Sequence, residues 1–346
     1  MIDWLSFSLP YDGPPVGIQF LKRETWNAPI EPVYSRPVQV EGSYSSKLAV
    51  QAIGGRLSIS GNPVKFFSGQ NVAGTNDIRR LVGMTVEAVS QSLGLLYCPV
   101  MWDALESGNV TLSRVDSTFA YAVGTDDDVA TWLEAMERAC HVRYRGRGHF
   151  DARYCALSFG SGVDENGEKK ASRRSTFKFY NKWREIAVHP MTCDGETAAR
   201  LRATMWGKVR GEACYRGLEL KRLGYERLSA WDVGTCWKLH RDWISKMEMS
   251  EVVSLKSDVE KDLPRWLQST YRHWIKGEDL RALLSRPTFY RQRKELLELV
   301  QIDIANPCIT ATDRLKVVPI IRVLEAKPVP EEELEPIFWQ LVARAA

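Results

Sequence analysis

At 346 residues the chain is too long for one average core, and 44% apolar with 26% charged residues excludes a disordered protein, so two folded domains are the default. No run of eighteen apolar residues occurs and the start "MIDWLSFSLP" has no basic region, so neither a transmembrane span nor a secretory signal is expected. The net charge is only +4, but Arg143 to Arg184 holds 11 Lys/Arg against 4 Asp/Glu, a local field that suits a polyanion or a solvated basic loop.

In chain order, "IDWLSFSLP" alternates like a strand and stops at Pro10. Arg36 to Ile53 supplies two strand-like runs around "EGSYSS", and "RLSISGNPVKFF" follows. Asn76 to Leu95 reads as a helix capped by Asn76 or Thr75, with apolar residues at Ile78, Leu81, Val82, Val86 and Val89. "VTLSRVDSTFAYAV" is the cleanest strand pattern: Val115, Ser117, Phe119 and Tyr121 on one face, Arg114, Asp116, Thr118 and Ala120 on the other. A helix opens at "DDD" and runs to about Cys140. A hairpin goes out along "ARYCALSFGSG", turns at "DENGEKKASR" and returns along "RSTFKFYNK". After a helix from Glu196 to Lys208, "GEACYRGLELKRL" reads as another strand.

From about Ala230 the texture becomes helical and rich in Trp, Arg and Leu. The expected domains are therefore 1–228, of mixed strands and helices, and 229–346, mainly helical. "GEDLRALLSRPTFYRQRKELLELV" has a short helix, a break at Ser285-Arg286-Pro287 and a second helix opened by Thr288, a helix-turn-helix pattern. Its second helix carries Tyr290, Arg291, Arg293 and Lys294, which can dock on duplex DNA or pack on the first domain. "LKVVPIIRVL" reads as a strand or wing, and Pro328 to Glu335 as a linker before the last helix.

Several residues can carry chemistry. Asp116 lies within an apolar strand and must be paired, solvated or metal-bound, since burying a lone carboxylate is costly; its neighbour Arg114 offers the ion pair. Glu219 in "YRGLELKRL" has the same character and shares a strand face with Lys221. Two carboxylates on separate strands can form a hard oxygen site for Mg²⁺ or Mn²⁺. Tyr180 and Lys182 fall on one strand face, where a lysine stabilises phenolate; the same pattern also fits a strand tyrosine with a wet hydroxyl. The histidines have no partner at metal-site spacing, the His-x-His tripeptide of tyrosine nickases is absent, and no GxxxxGK[ST] loop occurs. Seven scattered cysteines with no CxxC spacing argue for a reducing compartment and against a zinc ribbon.

Taken in order, "MIDWLSFSLP", "ISGNPVKFFSGQNVAGTNDI", "LSRVDSTFAY", "FKFYNKWREI", "YRGLELKRLG", "SRPTFYRQRKELL" and "VVPIIR" give the chain a resemblance to the gene II/X replication initiators of filamentous bacteriophages, from Met1 to about Leu324. The resemblance implies an α+β fold with a Rep-like antiparallel sheet flanked by helices, a degenerate relative of the HUH tyrosine nickases. It implies nicking and rejoining of phage DNA in rolling-circle replication through a 5′-phosphotyrosine intermediate. Carried onto this sequence, it makes Tyr180 the nucleophile, Lys182 its electrostatic partner, and Asp116 and Glu219 metal ligands, with Glu185 a further acid or a structural partner. Arg114, Arg173, Arg174, Lys178, Lys221, Arg291, Arg293 and Lys294 become DNA contacts. The implied cofactor is Mg²⁺ or Mn²⁺, and the implied partners are origin DNA and host helicase, polymerase and single-strand-binding protein in the bacterial cytoplasm, with no membrane. One departure is Gln70, where relatives often carry histidine; a role in packing or DNA contact is expected for it. Two rivals stay open: a non-catalytic origin-binding regulator, and a metal-dependent nuclease that uses water.

Overall fold

The computed structural model describes residues 1–22, 31–95, 98–142, 146–151, 155–163, 169–249, 260, 263–300, 302–305, 308 and 334–345. Strand β1 (Ile2–Pro10) lies inside an antiparallel nine-stranded sheet. The small strands β2 (Ile18–Lys22) and β3 (Glu31–Arg36) pair off to one side. Strands β4 (Val38–Glu41), β5 (Lys47–Ile53) and β6 (Arg56–Gly61) join the main sheet, as does β7 (Thr111–Ala122). Beyond them, β8 (Cys140–Val142) pairs with β9 (Gly146–Arg147), while β10 (His149–Asp151) and β11 (Ala156–Phe159) extend the sheet. The pair β12 (Ser161–Val163) and β13 (Lys169–Ala171) precedes β14 (Ser175–Asn181) and β15 (Lys208–Arg216), and β16 (Met247–Met249) pairs with β8. The main order is β10-β11-β14-β15-β7-β1-β6-β5-β4. The α+β class expected from the sequence holds.

The period-2 pattern divides this sheet into two chemically different faces. Leu5, Phe7, Val115, Phe119, Tyr121, Val209, Ala213, Tyr215, Phe177 and Phe179 are buried in one core. Helix α4 (Asp126–Ala139) sets Trp132 edge-on to Phe179, and α8 (Thr235–Ile244) stacks His240 among Phe119, Tyr121 and Phe177. Burying each such aromatic contributes roughly 2 kcal/mol. Gly211 keeps this packing open, because a Cβ there would lie 3.0 Å from His240 and 3.1 Å from Phe177. The opposite face carries Ser6, Ser60, Arg114, Asp116, Thr118, Glu212, Arg210, Lys178 and Tyr180.

Local chemistry places the helices. Asn62 caps α1 (Pro63–Ser68), Pro63 opens it and Gly69 closes it in the left-handed region at φ 68, so "NPVKFF" is a helix rather than an extension of β6. Helix α2 (Ile78–Leu93) is capped by Asp77, which accepts from the Arg80 N–H; Thr75 instead braces Asp77. Helix α3 (Pro99–Glu106) packs on β1. A reciprocal Thr125–Asp128 capping box starts α4. The chain then forms α5 (Lys182–Val188), α6 (Gly195–Thr204) and α7 (Gly217–Leu223). Two strand expectations are thereby corrected: "RSTFKFYNK" leaves the sheet after Asn181, and "GEACYRGLELKRL" turns helical at Gly217.

A second, smaller core joins α9 (Arg265–Ile275), α10 (Leu280–Leu283) and α11 (Arg286–Val300) through Leu267, Trp274, Leu280, Phe289 and Leu296. Helix α11 begins at Arg286, not Thr288; Ser285 and Thr288 share a 2.8 Å hydroxyl hydrogen bond at its start. Helix α8 lies beyond residue 228 yet completes the first core, and α12 (Glu335–Ala345) returns to α1, with Arg80 stacked 3.7 Å over Trp339. The tip "DENGEKKASR" lies partly, and "LKVVPIIRVL" wholly, outside the described residues.

Candidate functional site

Tyr180 is the last polar-face residue of β14, directly opposite Arg210 on β15 and Ala156 on β11. Only 4% of it is exposed, and among the described residues its hydroxyl has no hydrogen-bond partner. Lys178, two residues earlier on the same face, holds its ammonium 4.2 Å above the Tyr180 ring. Burial pushes the Tyr180 hydroxyl well above its ordinary pKa; Arg210 is the largest charge acting the other way, while Glu212, Asp3 and Glu185 add to the rise.

Lys182 does not share a strand face with Tyr180, because Asn181 ends the strand. The Asn181 side chain caps α5, accepting from the Arg184 N–H and donating 2.6 Å to Asp126, which Arg184 also grips. Lys182 thus enters the first turn of a helix and is buried. Its ammonium donates 2.8 Å to Asn71 Oδ1 and 2.6 Å to Glu185. Burial and the neighbouring Arg210 pull its pKa down, opposed by Glu185.

The loop that brings in Asn71 is built on Gln70. Its amide donates to Ser68 Oγ at 2.9 Å and the Ala73 carbonyl at 2.8 Å, and accepts from the N–H groups of Val72 and Ala73. The side chain is fully buried and fully used, so Gln70 organises the loop. The Asn71 backbone carbonyl accepts a hydrogen bond from Arg210 Nη1, while Nη2 donates 2.8 Å to Thr118. Arg210 Nε is buried and has no hydrogen-bond partner among the described residues.

Asp116 sits four strand positions from the Tyr180 row, about 13 Å along the sheet. Arg114 grips it through two donors and lies 4.9 Å over the Trp4 ring. Burial raises the Asp116 carboxyl against the pull of Arg114. Glu219 lies on α7, not on a strand; Arg222 holds both its oxygens and Arg174 approaches to 3.6 Å. Glu185 pairs with Lys182. The fold therefore does not bring Asp116, Glu219 and Glu185 together, and each already has a cationic partner. Among the described residues no three His, Cys, Asp or Glu side chains are arranged to hold a metal ion. These donors do not fit a ready-made Mg²⁺ or Mn²⁺ site.

Of the expected DNA contacts, Lys178 and Arg114 lie on the polar face, and Arg173, Arg174 and Lys221 are exposed around the end far from Tyr180. On α11, Arg291 and Lys294 are exposed, whereas Arg293 is drawn into a two-donor pair with Asp303. Three polar-face residues escaped the sequence reading: Asp3, Arg210 and Glu212. A bulge between Ile2 and Trp4 accommodates Asp3, which accepts 2.9 Å from Asn62 and lies 3.9 Å from Arg210. Glu212 is opposite Lys178; burial raises its carboxyl, Lys178 and Arg210 oppose this, and Asp3 and Asp116 reinforce it. Their signal was the alternation Arg210, Glu212 within "KVRGEACYR", the same warrant that singled out Asp116.

Residues 1–234 match the family described as the N-terminal part of the phage replication-associated protein, the gene II product, and residues 255–333 match the family of its C-terminal part. The chain belongs to this family of filamentous-phage replication initiators. The replication-associated gene II protein of Enterobacteria phage I2-2 is 29% identical to it over 344 residues, 95% of this chain and 94% of the relative. No solved structure matches the chain. Membership in the gene II family makes this a phage DNA-replication protein. Among its described residues no helix is long and apolar enough to cross a membrane.

Proposed function

We propose that this gene II-family chain nicks and rejoins one strand of phage origin DNA, using Tyr180 as the nucleophile. The observation that carries the reading is a tyrosine hydroxyl with no hydrogen bond among the described residues, placed on the polar sheet face beside Lys178 and Arg210. In the first step the Tyr180 oxygen bonds to the scissile phosphorus and the bond from phosphorus to the 3′-oxygen breaks. The tyrosine proton departs, the leaving 3′-oxygen gains one, and the 5′-phosphate stays as a tyrosyl ester. The reverse step rejoins the strand without ATP, since one phosphodiester replaces another. Lys178 offsets the negative charge of the scissile phosphate, which is worth most where water is excluded. Basic side chains from Arg114 to Lys221 hold the backbone, and α11 offers Arg291 and Lys294 to duplex DNA. On this reading the sheet is a Rep-like nickase sheet, and the host helicase, polymerase and single-strand-binding protein act on the same origin in the bacterial cytoplasm.

The test is a denaturing gel of the protein with supercoiled origin DNA, with and without Mg²⁺ or Mn²⁺. The expected product is a nicked strand whose 5′ end migrates with the protein, and Tyr180→Phe loses it. Nicking without a protein-linked strand would favour a water-using nuclease. Binding without nicking in either metal would favour an origin-binding regulator.

A further inference from the structure

Arg210 is an arginine placed where burial is expensive. It is 2% exposed in the middle of a nine-stranded sheet. A lone buried cation costs several kcal/mol, and such groups are normally enclosed by close carboxylates. Here the nearest carboxylate among the described residues, Asp3, lies 3.9 Å away, beyond hydrogen-bond range. Two of the three guanidinium nitrogens are fixed by neutral acceptors, the Asn71 carbonyl and the Thr118 hydroxyl, and Nε has no hydrogen-bond partner among the described residues. The cation is thus held in place by neutral acceptors, while Asp3, Glu212 and Glu185 act on it without a hydrogen bond to it. Directly across the strand pair stands Tyr180, whose hydroxyl has no partner among the described residues. Directly opposed residues of an antiparallel pair have Cβ atoms roughly 5 Å apart. The Arg210 guanidinium leans toward β7, where it meets Thr118, and its charge acts on the Tyr180 hydroxyl through space.

We propose that Arg210 is the positioning residue for the Tyr180 oxygen, a fixed cation that carries the phenolate charge as the tyrosine gains and loses its phosphoryl group. This rests on the nucleophile reading above. Lys178 and Lys182 differ from it in ways that matter. Lys178 sits over the ring and stays partly exposed, and Lys182 is committed to Glu185 and Asn71. The charges that act on the Tyr180 hydroxyl are Arg210 and Glu212 on β15, Asp3 on β1 and Glu185 on α5, with Lys178 of β14 over the ring. Glu212, Asp3 and Glu185 oppose the phenolate, while Arg210 is the fully buried permanent charge that favours it.

The test uses the full chain and a labelled single strand containing the nick site, and follows formation of the covalent adduct. Arg210→Ala is expected to slow the adduct-forming step by about 100-fold or more while strand affinity changes about 3-fold or less, a loss in kcat rather than KM. Added guanidinium ion is expected to restore at least about 10-fold of that rate in Arg210→Ala and not in the unsubstituted protein, whereas urea at equal concentration does not. Arg210→Lys is expected to fall between the two. A normal rate in Arg210→Ala would overturn the proposal. So would a loss that neither guanidinium nor lysine recovers, which is the behaviour of a residue needed only for folding. Tyr180→Phe is run alongside: an adduct in that variant would sink the nucleophile reading itself, separately from any result at Arg210.

Discussion

Lys182 and Arg210 meet on one residue: Lys182 donates to the side-chain oxygen of Asn71, and Arg210 donates to its backbone carbonyl. Two buried cations from different elements are thus held by a loop that Gln70 shapes from within. Asn71→Ala removes only the acceptor used by Lys182, because the carbonyl stays. It should lower unfolding stability by about 1–3 kcal/mol, the penalty for under-satisfying a buried ammonium, and leave Arg210 in place. Urea unfolding of the parent and Asn71→Ala measures this loss.

Tyr180→Phe should leave stability within about 0.5 kcal/mol of the parent, because the hydroxyl it removes makes no hydrogen bond among the described residues. The same change should abolish the protein-linked strand. A large loss of stability would show that the hydroxyl holds the fold together.

The Arg114–Asp116 pair should respond asymmetrically. Asp116 has a 3% exposed side chain and Arg114 a 32% exposed one. Asp116→Asn leaves a cation that can reach water and should cost about 1 kcal/mol. Arg114→Met leaves a buried carboxylate with no close cation and should cost about 3 kcal/mol at pH 7. Because burial already raises the Asp116 carboxyl, protonation on acidification should recover part of the second loss. Thermal melts of both variants at pH 7 and pH 5 check this.

His240 should make the fold sensitive to acid. Burial beneath the sheet pulls its pKa down to about 3, so the ring, hydrogen-bonded to the Tyr121 hydroxyl, stays neutral. In the unfolded chain a histidine titrates near 6.5, so between those values the unfolded state binds the extra proton. Its contribution is complete above about pH 6.5 and is lost as pH falls toward 3, by up to about 1.4 kcal/mol per unit. A Tyr121→Phe/His240→Leu double variant should therefore lose about 2 kcal/mol less than the parent between pH 7 and pH 5 in urea unfolding.

The sequence by itself determined what period and spacing control. The faces of "SRVDSTFAY" and "STFKFY", the helix opened by the acids at Asp126, and the short-helix, turn and basic-helix pattern near Pro287 follow from local patterning. The ordered motifs also carried the family. Tertiary structure decided which distant groups meet. The ion pairs of Asp116, Glu219 and Glu185 are local, two or three residues apart, and the latter two follow from Glu219 and Lys182 lying on helices rather than strands. A metal role for these acids was what the family resemblance implied, since spacing alone could not show that they meet. Alternation could not see that the chain leaves the sheet after Asn181, because an asparagine cap ends a strand and begins a helix without breaking the polar pattern. Nor could it show Arg210, thirty residues from Tyr180 in sequence and opposite it in the sheet. The register of β14 on β15 brings that pair together, and it is set by packing of the Phe177–Phe179 face against α4 and α8.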